Sequence, residues 1–235
     1  ERKGYKISGA DLLINSTVPT GAGLSSSAAL EVVTGLALSE ISGQAVDKKT
    51  IALVGQQTEH EFVGAKVGIM DQFVSAHAKK NHALLLDCRS LAFENVPLAT
   101  KDVVIAICDT KVKHDLATSE YNTRRAECER AVEILKRFLP SVEQLRDVTI
   151  ADFEKYESEL PEPIRRRARH VVTENARTLE AADCLKKSDF ENFGRLMRES
   201  HESLQNDYEV SCRELDLLVE IAEKCDGALG ARMTG

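Results

Sequence analysis

Residues Val18–Val32, VPTGAGLSSSAALEV, place two glycines and three consecutive serines between a stretch rich in β-branched residues and an apolar run. Ala10–Thr17 mixes apolar and β-branched residues and leads into Pro19, which predicts a strand ending in a turn. Ser26–Ser42 carries Ala29, Leu30, Val33, Leu36 and Leu38 with few charges, which predicts a helix buried on most sides. Glycines between such elements let backbone amides approach a ligand, and a helix start adds about half a positive charge there. That is the physics of a phosphate site, with serine hydroxyls free to donate to phosphate oxygens or to bind Mg2+. The same residues suit a small-residue turn that lets a helix pack closely, and glycines alone do not decide between the two. The Lys-Ser/Thr ending of a Walker A loop is absent.

Further along, Asp47 is placed to cap a second helix running to Phe62 and stopped by Gly64, and Ile69–Lys79 has a helical pattern. Ala83–Cys88 and Val103–Cys108 are apolar runs of strand length. From there the pattern is helical: Thr118 opens a helix through Phe138, and Thr149/Asp152, Ser188/Glu191 and Ser211/Glu214 have capping-box spacing. Pro163 suits the first turn of a long helix. The first hundred or so residues mix strands and helices and the rest is mostly helical, so two subdomains are expected.

At 235 residues the chain is long enough to bury a real core. Its net charge of −7 argues against nucleic acid as a partner, and no window is apolar enough to span a membrane. Pro163–His170, PIRRRARH, holds four arginines in five positions and predicts a solvated helix face balanced by Glu154, Glu157, Glu159, Glu162 and Glu174. Six scattered cysteines, with no CxxC pair, predict reduced and mostly buried thiols in a cytoplasm. No basic-then-apolar leader opens the chain, so secretion is not indicated.

The order Pro-x-Gly-x-Gly-Leu-Ser-Ser-Ser-Ala-Ala resembles the nucleotide motif of the GHMP kinases. The resemblance implies that Gly21, Ala22, Gly23, Leu24, Ser25, Ser26, Ser27 and Ala28 wrap the triphosphate of ATP. Gln56–Ala76, QQTEHEFVGAKVGIMDQFVSA, is similar to the segment of the family's galactokinase branch that carries a catalytic aspartate. By position this is Asp71, with Gly68 contacting the sugar and Glu59, beside Ser26, ligating Mg2+. LLLDCRSL (Leu84–Leu91) follows in the order of the bacterial members, and Lys111–Ala131 resembles the run that contains a sugar-contacting tyrosine, here Tyr121. Lys113 is the candidate cation for keeping Asp71 ionised and touching phosphate. Alone, Asp71 reads as a helix cap, Glu59 as a surface charge, Tyr121 as a packing residue, and Lys113 and His114 as solvated loop residues. His60 reads as structural rather than as a ligand.

The resemblance implies a two-lobed α+β fold, incomplete at both termini, with an N-terminal domain over 1–75 and a C-terminal domain over 76–235, their boundary falling between 66 and 100. It implies ATP-dependent phosphorylation of the anomeric hydroxyl of galactose by a cytoplasmic monomer. Two rivals stand beside it: an inactive galactose and ATP sensor, and a kinase for N-acetylgalactosamine. Ser27 and Ala28 are present, whereas sensors of this lineage can lose a Ser-Ala pair, and Phe73 leaves less room for an acetamide than a small residue would. The family's Gly-Glu-His-x-Asp-Tyr and Gly-Gly-Phe-Gly-Gly motifs are not in this sequence. The chain by itself is therefore expected to be inactive.

Overall fold

The computed structural model describes residues 4–98, 103–112 and 117–234, with only the backbone for 117–119. They divide by contact into two compact units, one up to Pro97 and one from Leu98 to Met233.

The first unit packs helices α1 (Ser26–Ile41), α2 (Lys48–Thr58) and α3 (Met70–His77) beside an antiparallel hairpin, β1 (His82–Leu86) and β2 (Phe93–Pro97). The hairpin pairs His82 with Pro97 and Leu86 with Phe93. Asp47 caps α2 as its sequence predicts, accepting the Thr50 amide at 2.9 Å. After Thr58 the helix widens into a π turn, Glu59–Val63, that ends on Gly64 at φ 85°. Val32, Ile51, Ala52, Ile69, Phe73 and Ala76 form the core, with Leu84 and Leu86 of β1 against them.

The second unit holds α4 (Ala117–Leu135), α5 (Ile150–Tyr156), α6 (Ile164–Lys187), α7 (Phe190–Asn206) and α8 (Arg213–Glu223). Its core runs from Ala131, Ile134 and Leu135 of α4 through Phe153 and Leu160 to Ala168 and Val172 of α6. Thr149 caps α5, accepting the Asp152 amide at 3.1 Å.

Several expectations are corrected. Ala10–Thr17 and Val103–Cys108 form no strand, because neither has a partner strand among the described residues. Helix α1 is not buried on most sides: Leu30, Val33, Leu36 and Ile41 are exposed. Ser188 ends α6 in a left-handed conformation, and Asp189 caps α7 by accepting from the Asn192 amide. Cys212, not Ser211, occupies the start of α8, and the Ser211 hydroxyl donates to Asp216 instead.

The arginine run is a solvated face only in part: Arg166 and Arg169 pair with Glu162 and Glu157 as expected, but Arg167 turns inward. Arg167 lies on the same stripe of α6 as Ile164, Ala168 and Val171, and it is buried. Its guanidinium donates to Glu127, to the Asp207 carbonyl and to Glu209. Arg166 joins Glu162 and Glu209, and Arg169 joins Glu157 and Asp207. All six cysteines are free, but only Cys184 is fully buried, while Cys88, Cys108 and Cys225 are exposed. Among the described residues no helix is long and apolar enough to cross a membrane.

Candidate active site

The glycine-serine stretch forms a turn directly ahead of α1. Gly21 and Gly23 have φ of 76° and 68°, a left-handed backbone that a Cβ would strain. Ser25 takes the same conformation at the helix start, φ 54°, and no side chain caps the helix. The first intrahelical bond runs from the Ala29 amide to the Ser25 carbonyl at 3.0 Å. The amides of Ser26, Ser27 and Ala28 therefore point out of the helix start, uncapped, where the helix dipole is positive. The α1 first turn carries no acidic side chain to compete for them. Ala28 is wholly buried, backbone and side chain alike. Gly21, Gly23 and Ser27 are exposed, and Ala22, Leu24, Ser25 and Ser26 half-buried.

Asp71 lies in the first turn of α3, exposed, and does not cap it: Ile69 takes the cap position and no side chain bonds there. Its carboxylate is left at a helix start, where an anion is favoured. Gly68 is held in place through its neighbour. The Val67 carbonyl accepts from Gln56 Nε2 at 3.2 Å and from His60 Nε2 at 2.7 Å, so His60 is a structural donor.

Glu59 stands at the start of the π turn and is only 8% exposed. It faces a second carboxyl, Glu31 of α1, which is pushed up to about 7 by burial and further by the charge of Glu59. A hydrogen bond from Gln72 Nε2 to Glu31 Oε2, at 3.1 Å, acts in the opposite direction. Gln72 is buried, and its Oε1 has no hydrogen-bond partner. Sequence reasoning misses Glu31 and Gln72. The signal available is that Glu31 is the one charged residue between Ser26 and Ser39.

A buried carboxylate without a basic partner among the described residues, an unpaired amide oxygen nearby and a serine hydroxyl are hard oxygen donors. Oxygen donors of this kind suit Mg2+, but among the described residues no group of three or more His, Cys, Asp or Glu is gathered closely enough to hold a metal ion. Tyr121 belongs to the second unit, on α4, with 46% of its surface exposed. Lys113 and His114 lie outside the described residues. Phe73 is 1% exposed, stacked on His77 at 4.1 Å and edge-on to Phe93 at 5.4 Å. It is a core residue, so the steric argument from it about sugar size does not hold. A groove of about 690 Å³ between α1, α2 and Tyr5 is lined by Leu30, Leu38, Val46 and Val54. Neither the loop serines nor Asp71 line it, and its walls are mainly apolar.

The profile for the GHMP kinases N terminal domain matches residues 1–79, and that for the GHMP kinases C terminal matches 181–235. A galactokinase of Roseiflexus sp. (strain RS-1) is 46% identical over 232 residues, covering 99% of this chain and 59% of its own. One of Chloroflexus aggregans is 50% identical over 227 residues, covering 97% and 58%. One of Thermotoga maritima is 45% identical over 235 residues, covering 100% and 65%. The crystal structure of Lactococcus lactis galactokinase complexed with galactose superposes with a TM-score of 0.84 at 36% identity, over 93% of this chain and 56% of that one. The chain thus spans 58–65% of the length of these curated relatives.

Proposed function

Since the chain belongs to the GHMP kinase family, we propose that its protein transfers the γ-phosphoryl group of ATP to the anomeric hydroxyl of galactose, giving galactose 1-phosphate. The observation that carries this reading is the 45–50% identity to galactokinases over 97–100% of the chain. The site chemistry supports it. The uncapped amides of Ser26 and Ser27, with the turn at Gly21–Ser25, hold the phosphates. Asp71, free of capping duty, orients the sugar hydroxyl and accepts its proton as the phosphoryl group arrives. Gly68 and Tyr121 position the sugar, and Lys113 supplies a cation. Glu59 and Ser26 hold Mg2+, which when bound offsets phosphate charge. The boundary between the N-terminal and C-terminal domains falls in the expected range of 66 to 100, with the first compact unit running to Pro97, and the protein works as a monomer in the cytoplasm.

The test is phosphorylation of galactose with Mg-ATP by the chain in its full reading frame, beside Asp71→Asn. Wild type is expected to form galactose 1-phosphate, and the variant to lose about 10²–10⁴-fold in kcat while still binding both ligands. Tight binding of galactose and ATP with no product from wild type would make the protein a sensor. Preference for N-acetylgalactosamine would reassign the sugar.

A further inference from the structure

Resting on that reading, we propose that Glu31 is a positioning residue that, through Gln72, fixes the helix behind the phosphate loop to the helix that carries Asp71. Three helices meet at one point. Glu31 comes from α1, one turn beyond Ser27; Gln72 comes from α3, next to Asp71; Gly55 of α2 lies between them. A Cβ on Gly55 would stand 3.1 Å from Glu31 Oε2 and 3.0 Å from Gln72 Cγ. The missing side chain lets the bond from Gln72 Nε2 to Glu31 Oε2 close at 3.1 Å.

The fold itself does not ask for this arrangement. The core of the first unit is apolar, Val32 of α1 with Ile51 and Ala52 of α2, Ile69, and Phe73 and Ala76 of α3. A leucine at 31 would suit such a contact, whereas a half-buried carboxylate facing Glu59 costs stability. Local rules are broken in this way at sites that need a fixed geometry. The bond gives one. It links the amides that hold the transferred phosphate to the carboxylate that orients the attacking hydroxyl, and a displacement of about 1 Å between such groups costs on the order of a hundredfold in rate.

The experiment uses the full-length protein with Glu31→Leu, Gln72→Leu, the double variant and Glu31→Gln, which keeps an acceptor oxygen. Glu31→Leu and Gln72→Leu are each expected to lower kcat about ten- to a hundredfold with KM for ATP and galactose within about twofold of wild type. The double variant should be no worse than either single one, and Glu31→Gln should recover most of the rate. Hydrogen exchange at the Phe73 amide, bonded to the Ile69 carbonyl at 2.9 Å, supplies a readout independent of turnover: it should quicken in Glu31→Leu and not in Glu31→Gln. If Glu31→Leu fails to fold, Gln72→Leu against Glu31→Gln makes the same comparison. Unchanged kcat and exchange, additive losses, or no recovery by Glu31→Gln would overturn the proposal. Absence of galactose phosphorylation by wild type would instead reject the function, and the exchange result would still stand for or against the bond.

Discussion

The two units treat polar groups in opposite ways. In the second, Arg166, Arg167 and Arg169 are each joined to groups at the end of α7 or in the turn after it, and Arg167 also to Glu127 of α4 and Arg169 to Glu157. In the first, the α1 amides have no cap, Asp71 caps nothing, and two carboxyls face each other beside an unpaired Gln72 oxygen. The glycines divide likewise. Gly21 has open space around the position of a Cβ and is needed for its backbone angle, whereas a Cβ on Gly194 of α7 would fall on the Leu229 carbonyl. Satisfied groups make a scaffold. Groups left open at helix starts are what a ligand completes.

Breaking the scaffold should cost most. Gly194→Ala forces backbone from backbone, where Gly194 and Gly230 cross and where Arg198 donates to Leu229 O at 2.5 Å. It is expected to destabilise the second unit by more than about 4 kcal/mol, seen as loss of the cooperative melt, while Gly21→Ala costs about 1 kcal/mol and chiefly weakens nucleotide binding. Equal melts for the two would collapse the contrast. Next comes Arg167→Met. Arg167 has a side chain only 3% exposed, and losing it removes bonds to Glu127, Glu209 and the Asp207 carbonyl, although Arg124 and Arg166 still pair with the two carboxylates, for about 2 kcal/mol in urea unfolding. An effect below about 0.5 kcal/mol would mean that the arginine run is an ordinary surface after all.

The smallest effect is one of pH. Burial holds the His170 ring at about 4, against an ordinary 6.5, while it lies against Ser203 and Tyr208. The unfolded chain therefore takes up this proton at higher pH than the folded one. Stability from His170 is complete above about 6.5 and falls as pH drops toward 4. Glu209, held at about 2 by Arg167 and Arg166, adds its own loss only as pH falls from about 4.5 toward 2. Glu31, raised to about 7, works in the opposite direction over the same window, so the test is the difference between chains: wild type should lose more stability than His170→Gln does between pH 7 and pH 4.5. An equal change in the two chains would assign the effect elsewhere.

Features made by neighbours in sequence were legible before the structure. The caps at Asp47 and Thr149 and the stop at Gly64 are bonds and angles within a few residues, and they stand where the sequence puts them. Ala10–Thr17 and Val103–Cys108 have strand composition, but a strand exists only through a partner, and composition does not name one. Arg167 was legible and overlooked: it falls three residues after Ile164 and four before Val171, on the apolar stripe. In the site, the turn glycines announce themselves by type, while the Glu31–Gln72 bond spans 41 residues and arises only when α1 and α3 pack.

The π turn after α2 carries one more consequence. A π turn is an α-helix with a single residue inserted, here closed by the Gly64 amide reaching back five positions to the Glu59 carbonyl at 2.9 Å. That extra residue sets the phase between everything before it and everything after it. Gln56 and His60, on one side, reach across to Val67 on the other, and Glu59 turns inward while Phe62 turns out to solvent. Deleting any one residue from 60 to 63 would restore a plain helix and rotate the following segment by about 100°. This short stretch can therefore exchange residues more readily than it can change its length, and the spacing between Glu59 and Asp71 is a dimension of the fold.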